Sequence, residues 1–187
     1  MGDPVRKKKK FEKPKKLWDK ARIEAESKLR EDFGLKNARE LWGMQTLLRR
    51  VRREARRLLS GKGKNLDERK GKLLKRVNRL FLQKQDLTLD DLLSLTVKDV
   101  LERRLQSVLV KKNMAKTMRQ SRQFITHGHV SVNGRKVSSP SFLVSFEDEF
   151  LVGWFKKPMG VFAEETKEVI APKVESPAAQ ESVTQNG

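Results

Sequence analysis

Residues 124–137 read FITHGHVSVNGRKV. The apolar pair Phe124-Ile125 closes a helical pattern and Gly128 supplies its stop. The period then falls from 3.6 to 2, and Asn133-Gly134 is the dipeptide that closes a two-residue hairpin. A helix delivered by a glycine turn onto an antiparallel hairpin makes this region α+β, with His127 and His129 at the joint. Just upstream, Thr117 predicts the cap of the helix MRQSRQFITHG. Downstream, FLVSF (142–146) and FLVGWF (150–155) read as further strands, with FEDEF (146–150) as the turn between them.

Toward the N-terminus the pattern is helical throughout. LWDKARIEAESKLREDFG and NARELWGMQTLLRRVRREARRLLSG each end in glycine, and Asn37 with Glu40 three residues on reads as a capping box for the second. NLDERKGKLLKRVNRLFLQK predicts a third helix. Thr88 with Asp91 and Thr96 with Asp99 announce two more helix starts, the second opening a single helix through VLERRLQSVLVKK. On that helix Arg104 falls within the apolar arc, either snorkelling past the core or aimed at a ligand at its edge. These readings divide the chain into a basic arm (1–16), a helical domain (17–96), a small α+β module (97–160) and a disordered tail (161–187). The module is expected as two helices on a short, mostly antiparallel sheet.

Charge decides the class of partner. The 187 residues carry 43 Lys+Arg against 24 Asp+Glu, a net +19, far beyond what solubility requires. Residues 1–80 hold +17, 81–160 hold +5 and 161–187 hold −3, so the excess lies at the front. Within 44–59 the apolar residues Met44, Leu47, Leu48, Val51, Ala55, Leu58 and Leu59 share one helical arc. Arg49, Arg50, Arg52, Arg53, Arg56 and Arg57 occupy the other, with only Glu54 to relieve their repulsion. A planar guanidinium fork matches phosphate, so this face reads as lying along an RNA backbone. In the later helix Arg119, Gln120, Arg122, Gln123 and His127 make a second, smaller donor face beside the turn that carries His129 and the hairpin's Arg135 and Lys136.

Other chemistry finds no support. There is no cysteine, hence no disulfide framework and no thiolate metal site, and no third histidine joins His127 and His129, so no metal or cofactor is expected. GKGKN (61–65) lacks the phosphate-loop spacing and reads as a flexible basic loop offering Lys62 and Lys64. No apolar run reaches membrane-spanning length, no secretory signal opens the chain, and no catalytic constellation is present. With no tyrosine and few exposed aromatic candidates, recognition of folded RNA by shape is favoured over single-strand stacking.

LERRLQSVLVKKNMAKTMRQSRQFITHGHVSVNGRKVSSPSFLV (101–144) resembles the RNA-binding module named after small-subunit ribosomal protein four, in its Arg-Leu pair, Thr-capped helix with Arg-Gln, His-Gly turn and Val-Asn-Gly. EDFGLKNARELWGMQTLLRRVRREARRLL (31–59) resembles the helical region before that module in the archaeal and eukaryotic branch of the family. The short C-terminal tail and dense Glu, Lys and Arg usage favour the archaeal side. The resemblance implies a cytoplasmic, non-enzymatic constituent of the small subunit that binds ribosomal RNA at a helix junction early in assembly, beside other small-subunit proteins and near the messenger entry side. By match to the motif it implies RNA-facing or turn-forming roles for Arg104, Arg122, Gln123, His127, Gly128, Asn133, Gly134 and Lys136. Met118 stands where many bacterial relatives have arginine, and no contact is assigned to it. A non-ribosomal RNA chaperone of the small heat-shock type would use the same module without the long helical region. An RNA-modifying enzyme would need a catalytic domain for which 187 residues leave no room.

Overall fold

The computed structural model describes residues 10–61 and 65–156. Helix α1 (Lys20–Asp32) starts where the Asp19 carboxylate accepts from the Arg22 amide, and the chain leaves it through Gly34 at φ +56°. Helix α2 (Ala38–Leu59) is the longest, about 33 Å at 1.5 Å per residue. Helix α3 (Leu66–Leu80) packs against it, and the short α4 (Leu89–Ser94) and α5 (Val97–Glu102) complete the layer. Both capping boxes expected here are formed: Thr88 with Asp91 and Thr96 with Asp99 exchange side-chain and backbone hydrogen bonds. The α2 stripe buries Leu48 and Ala55 against Leu73 and Val77 of α3 and against Leu89, Leu92 and Val100. Leu59, placed by periodicity on the same stripe, stays half exposed at the helix end.

Helices α6 (Leu105–Lys111) and α7 (Met118–His127) then pack on a sheet of β1 (Val130–Val132), β2 (Arg135–Lys136) and β3 (Val152–Trp154), ordered β2-β1-β3 with both pairings antiparallel. Their core joins Leu105, Val108 and Leu109 to Ile125, Val130, Val132, Val144 and Val152. The architecture is the α+β one expected. Asn133 at φ 51° and Gly134 at φ 74° give the left-handed pair of a type I′ turn.

Four local expectations fail, three of them for a tertiary reason. The helix expected through VLERRLQSVLVKK breaks at Arg103-Arg104, where Arg104 adopts extended geometry (φ −73°, ψ 143°) and bridges Leu143 in antiparallel fashion. The Leu105 amide donates to the Phe142 carbonyl at 2.8 Å and the Val144 amide to the Arg103 carbonyl at 2.9 Å, so the 142–144 segment recruits backbone groups that a continuous helix would have consumed. The FLVSF segment consequently contributes that bridge and no regular strand. FEDEF, expected as a turn, is the one-turn helix α8 (Phe146–Phe150), capped by the Ser145 hydroxyl accepting from the Asp148 amide at 3.1 Å.

The fourth failure is the most consequential. Asn37 makes no side-chain cap, and Glu40 does not reach back to complete a box. Its carboxylate instead receives two arginines from the module: Arg104 donates to Oε2 at 2.8 Å, and Arg122 of α7 donates to Oε1 at 2.7 Å and to Oε2 at 3.3 Å. Arg104 is only 1% exposed and also donates to the Ser141 hydroxyl at 3.2 Å. Beside this clasp, the Gln106 amide donates to the carbonyls of Gly34 (3.2 Å) and Met118 (2.8 Å), joining the corner between α1 and α2 to α6 and α7.

Burial alone would raise the Glu40 pKa and is the largest single influence. The hydrogen bonds and charges of Arg122 and Arg104 together outweigh it and hold the carboxyl below its ordinary 4.5. Because the folded value lies below the unfolded one, this contribution to stability is complete above pH 4.5 and is lost as pH falls through the lowered folded value. Removing the carboxylate strands the buried Arg104 cation. Glu40→Ala is therefore expected to cost ~3–5 kcal/mol in urea unfolding near neutral pH. The acid-induced loss of stability in Glu40→Gln should be shallower than in the wild type below pH 4.5, since that substitution abolishes the titration. Equal acid profiles for the two proteins would show that the clasp contributes nothing.

Candidate nucleic-acid interface

The α2 arginines divide into two groups. Arg49, Arg50, Arg53, Arg56 and Arg57 are exposed on the side away from Leu48 and Ala55. Arg49 lies 3.8 Å from Glu12, while the other four have no ion-pair partner among the described residues. Arg52, expected in the same row, corrects the reading: it is half-buried and donates to the Leu95 carbonyl, closing the joint between α4 and α5. At 100° per residue it sits at the edge of the apolar stripe, where a long aliphatic stem reaches the neighbouring helix more readily than solvent.

Helix α3 supplies basic residues that the sequence reading did not select. Arg57 of α2 faces Arg69, Lys72 and Arg76 across a groove of about 540 Å³, with Glu54 on the same wall and Lys72 paired to Glu68. Further along, Lys75, Arg76 and Arg79 line a second concavity of about 500 Å³ whose far side is Ser145 and Asp148 of the module. Arg79 reaches Glu147 at 3.3 Å. The recurrence of cations at 69, 72, 76 and 79, spaced three and four apart, was available as a signal. It was masked by the lysine-rich background of the segment. Lys62 and Lys64 lie outside the described residues, as do the start of the basic arm and the C-terminal tail.

In the module, two residues implied to face RNA are instead turned inward. Arg104 is buried, and Arg122, with its side chain 22% exposed, spends its guanidinium fork on Glu40. Both hold Glu40, and with it the position of α7 against α2, and neither presents a free cation at the surface. What remains at the surface is a compact rim. Arg119, Gln123 and His127 are exposed on α7. The His127 and His129 rings lie nearly parallel, 10° apart with centroids at 6.2 Å. Gly128 takes φ +77°, and the Lys136 side chain crosses directly over it, so that a Cβ at 128 would fall 1.9 Å from Lys136 Cε. The positive φ favours glycine there, whereas the flexible Lys136 side chain could move aside for a Cβ.

The hairpin tip is placed differently from the rim. Asn133 donates to Asp148 at 2.7 Å, tying the turn to α8; the hydrogen bond from the Ser145 hydroxyl, and then this one, hold the Asp148 pKa below its usual range. Successive strand residues point to opposite faces, so Lys136 joins the rim while Arg135 projects from the other side. Phe124 secures the arrangement from beneath, its ring edge-on to Trp154 at 5.3 Å.

This geometry, cations on two packed helices and a polar rim around a glycine turn, offers donors to phosphates and ribose hydroxyls and no nucleophile, base or metal-ligand cluster among the described residues. Among those residues no helix is long and apolar enough to cross a membrane. The S4 domain model matches residues 103–150, the span from Arg103 through α8. Small ribosomal subunit protein uS4 of Ignicoccus hospitalis is 46% identical over 154 residues, covering 82% of this chain and 93% of the relative. The uS4 protein of Nanoarchaeum equitans is 47% identical over 146 residues (77% and 81%), and that of Thermoplasma acidophilum 43% identical over 157 (82% and 79%). These relatives are archaeal, on the side of the family that the charge usage favoured, and they carry no enzymatic description. Since the likeness runs through the helical region as well as the S4 domain, the chain belongs to the uS4 family of small ribosomal subunit proteins.

Proposed function

We propose that this chain is a structural constituent of the small ribosomal subunit that binds folded ribosomal RNA at a helix junction early in assembly. The observation that carries the reading is the set of outward arginines on α2, of which Arg57 faces the basic wall of α3 across a groove. Cations concentrated on two rigid helices gain most from a partner whose phosphates are themselves held close together, as they are where RNA helices meet. In this reading residues 1–16 are an arm along the RNA, 17–96 the helical domain, 97–160 the module and 161–187 a tail without an RNA role. The RNA contacts are Arg49, Arg50, Arg53, Arg56, Arg57, Lys62 and Lys64 in the first part, with Arg119, Gln123, His127, Gly128, His129 and Lys136 at the rim. Neighbouring small-subunit proteins complete the site, messenger passes at the entry side, and the working compartment is the cytoplasm. A stand-alone RNA chaperone is the weaker reading, because the likeness covers 154 residues, far more than the S4 domain at 103–150 that a module alone would need.

Five phosphate contacts from α2 would lower affinity for the target RNA about 500-fold between roughly 50 and 200 mM salt. Replacing Arg49, Arg53 and Arg56 by Glu should reduce the slope of log K against log salt by about three while leaving the helical circular dichroism intact. A filter-binding titration showing an unchanged slope would remove α2 from the interface.

The rim is expected to discriminate. Gln123→Ala and His127→Ala should each cost ~1–3 kcal/mol on folded target RNA and less on an unrelated duplex, compared at fixed salt and pH. Arg122→Ala should act differently, lowering the stability of the free protein through the Glu40 clasp. Equal losses on both RNAs for the first two variants would reduce the rim to one more basic patch.

A further inference from the structure

The geometry points to a second RNA site around Trp18, one that stacks an unpaired base, a role that rests on the RNA-binding reading above. Trp18 is 93% exposed and makes no ring contact with any other described residue. This corrects the expectation that stacking has little to work with. The exposure is not for want of a local partner. Trp18 immediately precedes the cap Asp19, and Ile23 occupies the fourth helical position, the two places that form a hydrophobic staple when they pack. Ile23 is 42% exposed, so neither side chain covers the other. A tryptophan left in water beside an available apolar neighbour offers an aromatic face of the kind that nucleobases cover.

The backbone around the tryptophan is fastened to the rest of the fold. The Glu12 amide donates to the Thr46 hydroxyl at 3.0 Å, and Phe11 sits 6.2 Å from the Trp42 ring, fastening the segment to α2. On the other side of Trp18, Arg22 donates to the Leu17 carbonyl at 2.9 Å and pairs with Glu26 at 2.7 Å. The backbone that carries the indole is thus tied down before and after it, which lowers the entropy that stacking must overcome.

The surroundings identify the ligand. Lys13, Lys15, Lys16, Arg22 and Arg49 line a concavity of about 510 Å³ whose wall includes Asp19, the residue after the tryptophan. Its two carboxylates are engaged, Glu12 with Arg49 and Asp19 with the Arg22 amide. An aromatic platform flanked by cations is the arrangement that holds single-stranded nucleic acid, phosphates in the groove and a base on the ring. Arg49 also begins the outward arginine row of α2, so the strand lying on α2 and the nucleotide stacked on Trp18 belong to one backbone path. The occupant is an unpaired nucleotide leaving the folded RNA.

The full-length protein and its Trp18→Ala and Trp18→Phe variants are titrated with an oligoadenylate of about eight nucleotides and with an abasic ribose-phosphate oligomer of the same length, alongside the folded target RNA. The alanine variant should bind oligoadenylate about 5- to 150-fold more weakly than the wild type, phenylalanine should restore most of the affinity, and the abasic oligomer should not distinguish the three proteins. So exposed a side chain leaves the melting temperature unchanged, which separates this loss from misfolding. If alanine and wild type bind oligoadenylate alike, the stacking site is wrong while binding of the folded target stands. Were the alanine variant also to fail to enter small subunits despite intact RNA binding, Trp18 would belong to a protein neighbour instead. If the wild type fails to bind the folded target at all, the broader reading falls with it.

Discussion

A single carboxylate shared by two guanidinium groups joins the helical part of this protein to its RNA-binding module. Glu40 lies in the first turn of α2, Arg104 at the break between α5 and α6, and Arg122 on α7, so three elements distant in sequence meet on two oxygen atoms. Two cations against one anion leave the cluster with a net positive charge. Such a group is stable only where geometry is tight, and its value is specificity of docking more than free energy, since a well-packed apolar substitute could give as much. The position of α7, and with it the rim of Gln123, His127 and Lys136, follows from this junction. A protein that must present two separate basic surfaces to one folded RNA needs their relation fixed before the RNA arrives, because ordering them on binding would cost conformational entropy.

Arginine has three distinct uses in this chain. Arg50, Arg53, Arg56 and Arg57 point outward. Arg52 satisfies a carbonyl at a helix end. Arg103 and Arg104 are buried, the first donating to the Val144 carbonyl and to Glu149 with its guanidinium 3.9 Å above the Phe146 ring. Part of the net charge of +19 thus belongs to arginines engaged within the fold, while α3 adds further cations at the surface.

What could be read in advance was whatever is decided within a few residues. The caps at Thr88, Thr96 and Thr117, the Gly128 stop and the Asn133-Gly134 turn each depend on local hydrogen bonding or on a positive φ, and all were legible. The break at Arg103-Arg104 was not, because no glycine or proline marks it and the competing hydrogen bonds come from Phe142 and Val144, some forty residues away in the chain. Glu40 misled for the same reason. Its spacing from Asn37 suits a capping box, and only the fold reveals two arginines close enough to claim it. Arg104 and Arg122, marked by motif resemblance, both spend hydrogen bonds on Glu40, a partner that the motif itself does not name.

The adjacent pair Arg103-Arg104 has a bearing on how the family can change. One residue sends its cation toward α8 and Glu149, the next toward α2 and Glu40, and both are anchored in the interior. An insertion or deletion of one residue at this point would exchange the two directions, leaving each carboxylate facing the wrong neighbour. Side-chain substitutions can be repaired by compensating substitutions nearby, but a change of length here would disengage both sides of the module at once. The segment joining α5 to α6 is accordingly a fixed spacer, and variation in chain length has to accumulate elsewhere.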